Sequence, residues 1–115
     1  MILELLNETC VMWEATGHDK FGTPTYAAAV ELPCHWEDKA ELFRTLKGEE
    51  LVSAAVVYLA QQVKRGSMMW YGDLADVPDS ADPKSESNSN VYEVSQQGRV
   101  KDVEATEALY TAWLL

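Results

Sequence analysis

The stretch Leu51-Val52-Ser53-Ala54-Ala55-Val56-Val57-Tyr58-Leu59-Ala60-Gln61-Gln62-Val63 decides the fold class. Ala54, Ala55 and Gln61 suit a helix, but the centre, Val56 to Leu59, is β-branched and aromatic. Such side chains lose rotamer freedom against a helical turn and pack well on a pleated surface, so a strand is expected. The polar turn Lys64-Arg65-Gly66 follows, and Ser67 to Gly72 (S-M-M-W-Y-G) reads as a short strand closing a hairpin.

Toward the N-terminus, Leu46-Lys47-Gly48-Glu49-Glu50 is a turn around Gly48. Before it, Glu37 to Leu46 sets Ala40, Leu42 and Phe43 among Asp38, Lys39, Glu41 and Arg44, matching neither the helical nor the strand period. Thr25 to Trp36 is a β-type run whose Pro33 has no N–H for a ladder and so marks an edge or a bulge. Thr9 to Ala15 is another, with the loop Thr16 to Pro24 between them. Met1 to Asn7 is read as a short strand or an arm laid on a neighbour.

Toward the C-terminus, Asp73 to Asn90 holds five acids against one Lys, with four Ser, two Pro and almost no large apolar side chain. Such a stretch buries too little surface to offset its ordering entropy, so a mobile loop is expected over 73–90. Val91 to Ser95 resumes β character, and Gln96-Gln97-Gly98-Arg99 is read as a turn. The ending stays open. Glu104, Ala105, Glu107, Ala108 and Leu109 are helix formers, whereas Leu109, Thr111, Trp113 and Leu115 alternate as in a closing strand. Short strands with Gly-bearing turns and no βαβ rhythm predict a mainly β fold, a small barrel or sandwich. It would carry one long acidic loop and at most a short helix.

At 115 residues the chain, 1–115, is one domain, long enough to bury about two-thirds of its unfolded surface. Nineteen Asp and Glu against nine Lys and Arg leave a net charge of −10. That balance disfavours proteins that grip nucleic-acid phosphate or anionic lipid. No apolar run approaches the roughly 20 residues of a membrane helix, so no membrane partner is expected. For Cys10 and Cys34, buried free thiols are expected, with one disulfide as the alternative.

Constellations for chemistry are weak. Cys34-His35, with Cys10 and His18, invites a zinc reading, but neighbours on a strand point to opposite faces, and no metal site is expected. The pairs Glu37-Asp38 and Glu49-Glu50 lie in turn-rich sequence, which predicts solvated carboxyls of ordinary pKa rather than an acid–base pair. Ser53 and Ser67 lack a nucleophile elbow, and His18 and His35 fit no triad pattern. No phosphate-binding glycine loop is present, and Asp73, Asp76, Asp79 and Asp82 lack the pattern of a calcium loop. The expectation is a non-enzyme with no catalytic residue and no cofactor. Of the four Trp, Trp36 beside a charged segment and Trp113 near the chain end are the interface candidates, with Leu114 next to the latter.

His35-Trp36-Glu37-Asp38-Lys39-Ala40-Glu41-Leu42-Phe43, then Gly48, Ser53-Ala54-Ala55-Val56-Val57-Tyr58, Gly66 and Tyr71-Gly72, resemble in order and spacing the head-completion (head-closure, or stopper) proteins of siphophages. The opening Trp13-Glu14-Ala15-Thr16-Gly17, Phe21-Gly22 and Pro24-Thr25-Tyr26, and the ending Leu109-Tyr110-Thr111-Ala112-Trp113-Leu114, are similar to that family too. Two departures stand out: His35 and Glu93-Val94-Ser95 replace Arg and Glu-Ile-Arg in relatives, so any subunit contacts of those arginines must be made differently. The resemblance implies a small β-barrel that forms a ring, a hexamer, in the neck of the virion after synthesis in the host cytoplasm. It implies contacts with a portal or adaptor ring on one side and a tail-terminator or tail-tube protein on the other. Packaged DNA passes through such a ring without sequence-specific binding. By family analogy the channel-closing segment includes Glu37, Asp38, Lys39, Glu41, Leu42, Phe43 and Arg44, and Asp73, Asp76, Asp79 and Asp82 become candidates for docking to neighbouring rings. An adaptor or tail-terminator ring, or a monomeric acidic β-barrel binding module, is the alternative.

Overall fold

Strands dominate the described residues, which are 6–45, 47–101 and 108–115 of this computed structural model. In chain order they are β1 (Glu8–Trp13), β2 (Ala15–His18), β3 (Pro24–Tyr26), β4 (Val30–Glu37), β5 (Leu42–Arg44) and β6 (Glu50–Val52). β7 (Ala55–Leu59), β8 (Met68–Tyr71), β9 (Tyr92–Lys101) and β10 (Ala108–Leu114) follow, with one turn of 3₁₀ helix at Leu74–Asp76. Six strands close an antiparallel barrel in the order β1-β4-β7-β10-β9-β8, while β2–β3 and β5–β6 form separate two-stranded ribbons. The mainly β reading and the small barrel are both present.

The helix-or-strand question at Leu51–Val63 resolves as a strand at its β-branched centre. Ala55, Val57 and Leu59 alternate into the barrel core, and β7 is paired on both sides, to β4 and to β10. Leu51 and Val52 belong instead to β6, because Ser53 breaks the run. Its hydroxyl donates to the Lys39 carbonyl at 3.1 Å and accepts the Glu41 N–H at 3.1 Å, turning the chain between ribbon and barrel.

β1 is buried on both faces, as its unbroken T-C-V-M-W run suggests. Cys10 and Met12 face the barrel core with Cys34, Trp36, Met69 and Leu114, whereas Val11 and Trp13 join Met68 and Val77 in a second apolar cluster outside it. The two cysteines are buried free thiols, and the neighbouring Cys34 together with burial pushes the Cys10 pKa up.

The segment 73–90, expected as a loop, carries no strand and lies against that second cluster. Val77 and Pro83 are buried, and the Trp13 indole N–H donates to the Ser80 carbonyl at 2.8 Å. Asn88 ties the segment to itself: its side chain accepts the Asp79 N–H and donates to the carbonyls of Asp79 and Asp82, each at 2.8 Å. A few apolar contacts, the Trp13 bond and one asparagine attach this loop to the barrel and to itself.

The corrections concern turns. Gln96 to Arg99 lies within β9, paired residue by residue with Trp113, Ala112, Thr111 and Tyr110 of β10, so tertiary pairing overrides weak local β-propensity. The expected loop Thr16 to Pro24 contains the ends of β2 and β3, and its tip is held by the Asp19 carboxylate, which accepts the N–H groups of Phe21 and Thr23. The run Thr25 to Trp36 divides at 27–29 into β3 and β4. Pro33 pairs with Thr9 of β1, while β7 pairing starts only at Cys34, so the proline sits at a local edge. The chain ends as the strand β10, with Ala112 and Leu114 turned to the core. Glu104, Ala105 and Glu107 of the helical alternative lie outside the described residues, as does most of the proposed arm, Met1 to Leu5. Among the described residues no helix is long and apolar enough to cross a membrane.

Candidate functional site

β4 hands the chain to the β5–β6 ribbon at the end of the barrel where β10 also finishes. The ribbon pairs Leu42 with Val52, Phe43 with Leu51 and Arg44 with Glu50, around a turn in which Gly48 has a φ of 85°. Alternation divides its side chains. Phe43 is buried and stacks on Trp113, with ring centroids 5.9 Å apart, while Leu42 and Val52 stand on the other face, 62% and 55% exposed. Arg44 and Glu50 form an ion pair of 2.9 Å beside them.

A ladder of alternating acidic and basic side chains runs along the root of this ribbon. The Tyr71 hydroxyl donates to Glu8 at 2.6 Å, and Glu8 also accepts the Trp36 backbone N–H at 3.0 Å. His35 lies between Glu8 (3.4 Å) and Glu37 (3.1 Å), and Lys39 lies between Glu37 (2.9 Å) and Glu41 (3.1 Å). The Trp113 indole N–H closes the far end on Glu41 at 3.1 Å. The aromatic ring of Tyr58 backs the middle, stacked against His35 and lying under the Lys39 ammonium.

These contacts shift the titrations. The bond from Tyr71 holds the Glu8 carboxyl below the usual range, the Lys39 ammonium does so for Glu37, and the Trp113 indole, then Lys39, do so for Glu41. The two glutamates push Lys39 up, and Glu8 pushes the Tyr71 phenol up. The expectation of an ordinary pKa at Glu37 is therefore corrected: it sits in a ladder rather than alone in solvent.

The structure separates the residues expected to act together in the channel segment. Leu42 and Arg44 face outward from the ribbon, Phe43 is tucked back on Trp113, Glu37, Lys39 and Glu41 belong to the ladder, and Asp38 accepts the Trp36 indole N–H at 2.9 Å. Trp36 and Leu114, expected at an interface, are buried in the chain's own core at 8% and 0% exposure. The reason is parity: Trp36 shares a strand face with Cys34, and Leu114 shares one with Ala112. Trp113 is half-buried beneath Phe43. Asp73 accepts from the Thr9 hydroxyl, Asp76 is on the 3₁₀ turn, and Asp79 and Asp82 accept from the N–H groups of Ala81 and Lys84. The four acids are spread along the 73–90 segment; Asp79 and Asp82 serve its turns, while Asp73 ties it to β1. Cys34 points into the core and His35 out of it, on opposite faces as their adjacency requires.

Sequence reasoning missed Glu8, Tyr71 and Val52. Val52 was findable, since a turn at Gly48 pairs it with Leu42. Glu8 and Tyr71 meet across the β1–β8 pairing, which no local pattern announces. No protein-family model and no curated protein matches the chain.

Proposed function

We propose that this chain is a structural ring component of a tailed-phage head–tail connector, which joins the portal or adaptor to the tail and closes the DNA channel after packaging. The supporting observation is the β5–β6 ribbon between β4 and β7. It leaves the barrel at one end, is braced by Ser53 and by Phe43 on Trp113, and displays an apolar pair, Leu42 and Val52, that the protomer itself leaves uncovered. In a ring, of six copies as the resemblance implies, the pair meets symmetry mates at the axis and narrows the passage. The work is mechanical, with no substrate turned over, and its place is the neck of the virion, between the portal–adaptor side and the tail-terminator or tail-tube side. Adaptors tend to be helical, so the predominance of strands weighs against the adaptor alternative.

DNA retention tests this. The double variant L42S/V52S changes two exposed side chains, so stability should move by no more than about 1 kcal/mol. DNA should nonetheless leak from filled heads completed with it. Full retention by a correctly incorporated variant removes the channel role. F43A is the contrast: it opens a hole against Trp113 and should cost about 3 kcal/mol of stability.

A further inference from the structure

β9 outruns its neighbour. It pairs with β8 only at Tyr92 and Glu93, continued by bonds between Val94 and the Gly66–Ser67 backbone at 2.9 and 2.8 Å. From Gln97 to Lys101 it is paired to β10 alone among the described residues. Antiparallel alternation says which groups are left over. Glu93 and Leu115 exchange both backbone bonds, at 2.9 and 3.0 Å. Counted from there through the register shift beside Trp113, the N–H and C=O of Gln97 and Arg99 turn away from β10, to the open side.

A groove of about 460 Å³ lies against this edge. Gln97 forms one wall, buried Met12 and Val63 supply apolar surface, and Lys64 and Arg65 stand exposed on the rim with Glu14. Glu14 pairs with Lys64 at 3.2 Å, and Arg65 donates to the Ser95 carbonyl of β9 at 3.2 Å. A sheet edge unpaired among the described residues, an apolar hollow beside it and two basic side chains against one acid on its rim occur together here, on a chain of net charge −10.

We infer that the outer edge of β9 over Gln97–Lys101 receives an extended acidic segment of a partner protein. The segment adds a strand through the backbone of Gln97 and Arg99, seats an apolar side chain over Met12 and Val63, and sets its carboxylates against Lys64 and Arg65. An edge left unpaired among the described residues, with this lining, is an invitation to pairing that a fold otherwise blunts or covers. The groove follows the end of β7 opposite the β5–β6 ribbon, so this inference stands apart from the channel role.

Amide hydrogen exchange followed by NMR tests it, with the blocked pentapeptide Glu-Val-Glu-Val-Glu as probe and Lys-Val-Lys-Val-Lys as its counterpart. The acidic peptide should slow exchange at Gln97 and Arg99 by about tenfold or more, and Arg65→Glu should weaken binding about tenfold. Lys64→Gln, which leaves the Arg65 bond to β9 in place, should weaken it in the same direction. No protection by the acidic peptide, or equal protection by the basic one, overturns the inference. So does protection already present in the free chain, which would mean that its own residues fill the edge. Protection that grows with protein concentration alone would name a second copy as the occupant and overturn it too.

Discussion

Glu41 is held from two sides, by the Trp113 indole and by the Lys39 ammonium, and it shows how the ladder couples pH to stability. Glu8, Glu37 and Glu41 all titrate below their ordinary 4.5 in the fold. As pH falls, the unfolded chain takes up protons first, so the stabilisation present above about pH 4.5 drains away through the lowered values. The raised Lys39 and Tyr71 act on the other side: their contribution is complete below the ordinary values and is lost as pH rises through the folded ones. The thermal midpoint should therefore be flat from about pH 6 to 8 and fall on acidification below about 4.5, and E41Q should flatten part of that fall. An E41Q profile that overlays the wild type would remove Glu41 from the ladder's balance. Little of this was legible beforehand, because Glu37 and Lys39 are near in sequence but Glu8, Tyr71 and Trp113 arrive only through strand pairing.

Among the elements, the acidic segment between β8 and β9 is a loop without strands whose attachment to the barrel composition does not announce. Its five acids and four serines describe a loop that cannot bury much, yet it needs only Val77, Pro83 and the Trp13 bond to lie on the barrel, with Asn88 as its internal tie. Asn88→Ala removes three hydrogen bonds and should cost about 1–3 kcal/mol locally, read as much faster proteolysis within 73–90 while the barrel midpoint moves little. Unchanged cleavage would show that the tie is dispensable. A second site of the same kind is Gly72, which ends β8 at a φ of 139°. A Cβ there would approach the Trp70 ring to 2.7 Å, so G72A should destabilise the junction by about 1–3 kcal/mol, measured as a lower thermal midpoint. The strands were easier to read. Val56 to Leu59 carries its β character locally, and the Thr9 to Ala15 run supplies β1 as far as Trp13, Ala15 passing to β2. β10 was half-legible: Leu109, Thr111, Trp113 and Leu115 announce a period of two, but the core takes the other phase, Ala112 and Leu114. Phase is set by what lies across the barrel, and Phe43 of the ribbon claims Trp113 for the outside.

For the whole molecule the question is where a net charge of −10 sits and what it does. The segment 73–90 contributes five acids and one lysine, on a flank of the barrel rather than on the ribbon, whose Arg44 and Glu50 neutralise one another. Six copies would sum to roughly −60, a field that repels phosphate and keeps a DNA passage slippery if part of it faces the lumen. The fold class could be read from short β-rich runs and glycine turns; barrel closure could not, since it rests on the β1–β8 and β9–β10 pairings between residues about 60 and 15 apart. The ring itself is the claim on which the proposed function stands. A reconstruction of DNA-filled particles completed with this chain should show it as a closed ring beneath the portal–adaptor assembly, with Leu42 and Val52 of every copy at the axis. A particle in which the chain is absent from the neck, or in which that pair faces away from the channel, would contradict it.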